Sequence, residues 1–138
     1  MRILGIDYGD ARVGVAVSDP MGFTAQGVKT LNNKVFDKMI ESLKAILDEY
    51  NPEKIVVGMP KNMDGTIGFR GEITKEFCKE LEKIAPDAEI ILFDERLTTM
   101  TADRYLSATN TRGKDRKKVI DTVAACVILQ DYLDSYRK

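Results

Sequence analysis

The chain has 138 residues, 43% hydrophobic and 31% charged, with a formal net charge of −1. This is ordinary globular composition at the commonest size of one domain, and it excludes both a disordered chain and a wholesale electrostatic binder of nucleic acid. There is no histidine, which removes Ser-His-Asp and Cys-His nucleophiles, histidine–zinc centres and histidine general bases together. Any chemistry must run on carboxylates, lysines, hydroxyls, thiols or a metal held by oxygen.

In chain order, Ile3–Tyr8 is a short apolar run ending at the turn-favouring pair Gly9 and Asp10, the pattern of a strand. Residues 13–18 alternate β-branched with small side chains and predict a second strand hairpinned to the first, and residues 27–31 predict a third. Val35, Phe36, Met39, Ile40, Leu43, Ile46, Leu47 and Tyr50 then keep helical spacing, with Asn33 placed to cap and Asn51-Pro52 to stop the helix. The period changes at Lys54–Met59, a continuous apolar run of the kind found in strands buried on both faces.

A glycine-rich loop at 64–68 leads to a helix using Ile73, Phe77, Leu81 and Ile84, which Pro86 breaks. Residues 89–93 predict another buried strand, ending at Asp94-Glu95-Arg96. The remainder reads as helical: a short segment over 98–106, a basic loop, and a long helix from about Asp115 to Tyr136. Cys78 and Cys126 lie far apart in apolar, helix-like stretches and read as buried structural thiols, not as a disulfide or a zinc cage. The apolar runs fall short of a membrane span and the start lacks a secretory layout, so a soluble, cytoplasmic protein with no membrane partner is expected. The order β-β-β-α-β-α-β-α-α predicts one α/β domain over residues 1–138, ribonuclease-H-like, with a mixed five-stranded sheet flanked by helices and its first three strands antiparallel.

Three carboxylates stand where a purely structural sequence would not put them. Asp7 sits inside an apolar strand, where an ionised carboxylate is costly unless paired, hydrogen-bonded or bound to metal; the plain alternative is that it caps the turn at Gly9. Glu95 follows a buried strand at the carboxyl end, where ligands of open α/β sheets gather; its alternative is a solvated strand end paired with Arg96. Alternation sends Asp94 and Glu95 to opposite faces. Asp121 precedes Ala124, Ala125 and Ile128 by three, four and seven residues, which puts all four on the apolar side of the last helix. Its alternative is an acid favoured by the helix dipole, and Asp131 recurs near the same stripe. Together the three form an oxygen-only set suited to Mg²⁺ or Mn²⁺, and two such ions about 3.5–4 Å apart can activate water and stabilise the leaving oxygen of a phosphodiester.

The segment 112–118 holds five positive charges against one negative, with Arg112, Lys114, Arg116 and Lys117 among them, and runs into the helix carrying Asp121. Such runs are usually solvated faces, but beside a phosphate-cutting site this one offers a grip on the backbone. Lys61, Asn62 and Arg70 around the glycine-rich loop offer a second, and Arg12, Arg96 and Thr98 complete the expected nucleic-acid contacts. Aromatic residues are sparse at 7%, which argues against a stacking platform for single strands.

These residues resemble a known family, the YqgF (RuvX) group of ribonuclease-H-fold nucleases related to Holliday-junction resolvases. The similarity runs through four blocks in the family's order: Gly5-Ile6-Asp7-Tyr8-Gly9 with residues 12–19, residues 57–65, Asp94-Glu95-Arg96-Leu97-Thr98-Thr99, and residues 120–125 with Ile128-Leu129-Gln130. The resemblance implies an acidic triad at Asp7, Glu95 and Asp121. It also implies a bacterial cytoplasmic role in maturing the 5′ end of pre-16S rRNA, with the ribosome or its precursors as partners and junction resolution as the other activity. One departure stands out: the resolvase relatives place a glutamate at the fourth strand, where this chain has Gly58-Met59-Pro60.

Two further classes compete. The Gly5-x-Asp7-x-Gly9 start also resembles the phosphate-binding strand of actin- and hexokinase-like ATPases, which need two such domains. A non-catalytic RNA-binding assembly factor would use the same fold with structural acids. Neither RNA against DNA preference nor oligomeric state is written in a readable motif.

Overall fold

The computed structural model describes residues 2–95 and 122–136. Its centre is one five-stranded sheet in the order β3-β2-β1-β4-β5. The strands are β1 (Ile3–Tyr8), β2 (Arg12–Ser18), β3 (Ala25–Asn32), β4 (Lys54–Met59) and β5 (Glu89–Asp94). β1, β2 and β3 run antiparallel, while β4 pairs parallel to β1 and β5 parallel to β4. The helices are α1 (Phe36–Tyr50), α2 (Phe69–Ile84) and α3 (Val123–Tyr136). This is the predicted α/β, ribonuclease-H-like arrangement, with β3 one residue longer than expected at its far end and two at its start.

Side-chain alternation divides the sheet into two unlike faces. One carries Leu4, Ile6, Val13, Val15, Val17, Ile55 and Val57, and packs on Met39, Leu43 and Leu47 of α1 and Phe77, Cys78 and Leu81 of α2. The other carries Ile3, Ala16, Ala25 and Val56 under Ala125, Cys126, Ile128, Leu129 and Leu133 of α3. Both cysteines are buried and free.

Four glycines flatten the second face. A Cβ on Gly5 would lie 2.7 Å from Cβ of Leu129 and 3.1 Å from the Ala125 carbonyl oxygen, and one on Gly14 3.6 Å from Cβ of Ala125. Gly27 lies directly beneath Thr122, and Gly58 beneath Ile128. Glycine within a strand marks close approach of another element, and here α3 lies nearly on the backbone of β1 to β4. Gln130 ties the helix to the β2–β3 hairpin, accepting from the Ala25 N–H at 2.9 Å and donating to the Phe23 carbonyl at 3.0 Å.

Several expectations need correction. Asn33 does not cap α1: that helix starts after Val35 with no side-chain cap. Asn33 instead clamps the β1–β2 turn, its Nδ2 donating to the Gly9 carbonyl and its N–H to the Ala11 carbonyl, both at 2.9 Å. Val35, counted in the helical stripe, is 50% exposed because it precedes the first turn. β5 is not buried on both faces; it is an edge strand, and Leu92 is 48% exposed. Ala124 is exposed while Ala125 and Ile128 of its expected group face the sheet, since a step of one residue turns the helix by 100°; Asp121 lies outside the described residues.

Candidate functional site

β1 carries Asp7 to the carboxyl end of the sheet, on the α3 face. Asp7 pairs across the hairpin with Gly14, and a Cβ on Gly14 would touch both Cβ of Asp7 at 3.8 Å and Ala125. Its neighbour Tyr8 turns to the opposite face and stacks on Phe77, ring centroids 4.2 Å apart.

Glu95 leaves β5 in phase with Ile91 and Phe93, which face α3. Its carboxylate folds back over β4, so that a Cβ on Gly58 would lie 2.5 Å from Oε1. Asp94 takes the other phase, and its Oδ2 meets Nζ of Lys61 at 3.9 Å. The two neighbouring acids therefore point to opposite faces, as alternation requires.

Asp7 and Glu95 come together electrostatically. Burial pushes the Asp7 carboxyl above its ordinary range, and the positive charge of Arg70 partly offsets this. Burial also raises Glu95, the Asp7 charge adds to the rise, Arg70 opposes it, and Asp94 raises it further. Among the described residues, two half-buried carboxylates, one raised by the charge of the other, share the offsetting charge of Arg70, and the pair favours added positive charge. Oxygen donors of this kind suit a hard divalent cation, so the residues present fit a Mg²⁺ or Mn²⁺ ion, although no group of three or more acidic or thiol ligands occurs among the described residues.

Between the loop after β4 and the start of α2, Lys61, Asn62, Gly68, Phe69 and Arg70 line a cavity of about 280 Å³. Arg70 is exposed in the first turn of α2. Asn62 is partly committed within its loop, its Nδ2 donating to Oγ1 of Thr66 at 2.9 Å. Arg12 is exposed at the start of β2 and, with Asn32 and Lys34, borders a second cavity of about 370 Å³. Asp121, Arg96, Thr98, Arg112, Lys114, Arg116 and Lys117 lie outside the described residues.

Two features escaped the reading of the sequence. Gln130 joins elements 105 residues apart, and nothing local announces that. Gly58 as the floor beneath Glu95 had a signal, a glycine inside an otherwise continuous buried strand.

A three-strand meander continued by two parallel strands, with acids gathered at the carboxyl end of β1 and beyond β5, defines a ribonuclease-H-like α/β protein. Two solved structures share this fold. T. thermophilus RuvC in complex with a Holliday junction substrate matches with a TM-score of 0.65 at 11% identity, over 99% of this chain and 96% of that one. Fowlpox virus resolvase with substrate Holliday junction DNA matches with a TM-score of 0.61 at 13% identity, over 100% of both chains. Residues 1–135 match RuvX, described as Holliday junction resolvase, and the chain belongs to that family. A relative from Clostridium perfringens is 49% identical over 138 residues, 100% of both chains. One from Clostridium novyi is 51% identical over 135 residues, 98% of this chain and 99% of the relative. A third, from Halothermothrix orenii, is 48% identical over 100% of this chain and 98% of its own length. All three carry the name "Putative pre-16S rRNA nuclease".

Proposed function

We propose that the chain is a metal-dependent nuclease that hydrolyses phosphodiester bonds in structured nucleic acid, with 5′-end maturation of pre-16S rRNA as its main reaction. The observation that carries this reading is the pairing of Asp7 with Glu95 at one end of the sheet. The relatives' names supply the substrate.

Asp7 and Glu95 would hold the cation, with Asp121 as the third carboxylate from the residue before Thr122. Bound there, one or two Mg²⁺ or Mn²⁺ ions supply polarisation of the phosphorus centre, activation of water and stabilisation of the leaving oxygen. The chain's own residues do the rest. Burial raises both carboxylates, and the charge of Asp7 adds to the rise of Glu95, so a bound divalent ion would relieve both. Arg70 stands close enough to lower both acids and is placed to meet a phosphate oxygen beside them. Lys61 in the loop after β4 and Arg12 at the start of β2 would grip flanking phosphates, and Arg96, Thr98, Arg112, Lys114, Arg116 and Lys117 would extend that grip. The reading brings a cytoplasmic location with it; among the described residues no helix is long and apolar enough to cross a membrane.

A second reading, resolution of four-way DNA junctions, is favoured by the family's description. One assay separates the two. A pre-16S rRNA leader and a four-way DNA junction are incubated in parallel with Mn²⁺ or Mg²⁺, using wild type and Asp7→Asn. The expected result is cleavage of the RNA, reduced about 100-fold or more in the variant, since even partners outside a metal's ligand shell are worth about 10–100-fold. Cleavage of the junction alone would exchange the first reading for the second. Folded wild type that binds both and cuts neither would make the chain a binding factor.

A further inference from the structure

Asp7 and Glu95 start two strands apart, because β4 lies between β1 and β5. Neighbouring strands are about 4.8 Å apart, so Glu95 must reach across β4 to share a site with Asp7. The residue under that path is Gly58, which pairs with Phe93 of β5. A Cβ added to Gly58 would stand 2.5 Å from Oε1 and 3.2 Å from Cδ of Glu95. Any side chain at this position would occupy the space the carboxylate now fills.

We propose that Gly58 is a positioning residue for the cation site: its missing side chain is the gap through which the Glu95 carboxylate crosses β4 to join Asp7. The site thus draws from beyond β5 an acid that lies over β4. The inference rests on the nuclease reading only for the choice of Asp7 and Glu95 as the acids that bind the cation.

A purely structural role is the competing explanation, because the same Cβ would also stand 2.6 Å from Cδ1 of Ile128. Substitution could act by lifting α3 instead of displacing Glu95. Removing Cδ1 with Ile128→Val separates the two, since it relieves the helix contact and leaves the carboxylate contact in place.

The test is a Mn²⁺ titration followed by electron paramagnetic resonance, without nucleic acid, alongside the Tm of each metal-free protein. The variants are Gly58→Ala, Glu95→Gln and their double, each with Ile128 and with Ile128→Val. Gly58→Ala is expected to weaken Mn²⁺ binding by about 10–100-fold, the range for groups that orient a ligand. Ile128→Val should restore its Tm but not its Mn²⁺ binding. The double Gly58→Ala/Glu95→Gln should bind no more weakly than Glu95→Gln alone, because residues acting through one another are not additive. Losses that add, or binding that returns together with Tm, would overturn the role of Gly58 while leaving the acid site intact. Wild type that binds no Mn²⁺ would overturn both. Coupled losses in a protein that cleaves neither substrate would retire the nuclease reading and leave this one standing.

Discussion

The two faces of the sheet use the same backbone for opposite ends. The face toward α1 and α2 is built from leucine, isoleucine and valine meeting large partners such as Met39, Leu43 and Phe77. The face toward α3 is built from Gly5, Gly14, Ala16, Gly27 and Gly58, with Ala125 pressed against it. Bulk gives the first face most of its hydrophobic stabilisation. Small residues give the second a close helix and room beside it for two acids. A charge placed on the first face would have no exit; on the second, Asp7 and Glu95 sit at the strand ends within reach of Arg70.

Three substitutions break or sharpen that contrast. Phe77→Ala empties a fully buried ring site between α2 and the sheet. It should cost about 3–5 kcal/mol and lower Tm by about 10 °C or more, while the folded protein at low temperature keeps its Mn²⁺ binding. A change in Mn²⁺ affinity there would mean the faces are not separable. Gly5→Ala works on the other face by overfilling: the new Cβ meets Leu129 and the backbone of Ala125. Overpacking of this kind costs about 1–3 kcal/mol in a denaturant titration, and a neutral result would show that α3 has slack.

The smallest effect has the opposite sign. Asp7→Asn should stabilise the metal-free protein at pH 7 by about 0.5–2 kcal/mol, the usual yield of a single stabilising substitution, here by removing a half-buried charge. The sign follows from the raised carboxyls. The folded protein holds their protons more tightly than the unfolded chain does, so ionisation costs stability above the raised folded values. That cost disappears as the pH falls through them and is gone below the ordinary values of 3.8 for aspartate and 4.5 for glutamate. The advantage of Asp7→Asn over wild type, read as a Tm difference across acidic pH, should therefore shrink as the pH drops. An advantage that grew instead would mean Asp7 is paired, not strained.

Local pattern made most of this legible. Alternation in β1 and β2, the helical spacing in α1 and the switch to the apolar run of β4 are properties of consecutive residues, and each element formed where its period predicted. Asp7 stood out for the same reason, being an acid at a position whose neighbours called for an apolar side chain. Apart from Val35, which only misjudged where α1 begins, the misreadings concern partners distant in the chain. Asn33 has the right residue type and place for a cap, but its partner is the turn at Gly9 and Ala11. Ala124 differs from Ala125 only by which side of α3 meets the sheet, which the docking angle decides. β5 resembles β4 in composition, yet only neighbours on both sides make a strand internal. The role of Gly58 depends on a carboxylate 37 residues further on.

The route of α3 also sets an order of assembly in time. The helix is translated after every strand it covers, so the hairpins of β1 to β3 can pair while their second face is still bare. Ile128 reaches its place above Gly58 only once residues 123–136 have been made. Under the nuclease reading, a nascent chain held beside ribosomal RNA carries Asp7 and Glu95 before Asp121 and α3 have been made. Translation itself then delays the capacity to cut, and a chain aborted before α3 leaves an uncovered apolar sheet that quality-control proteases can recognise.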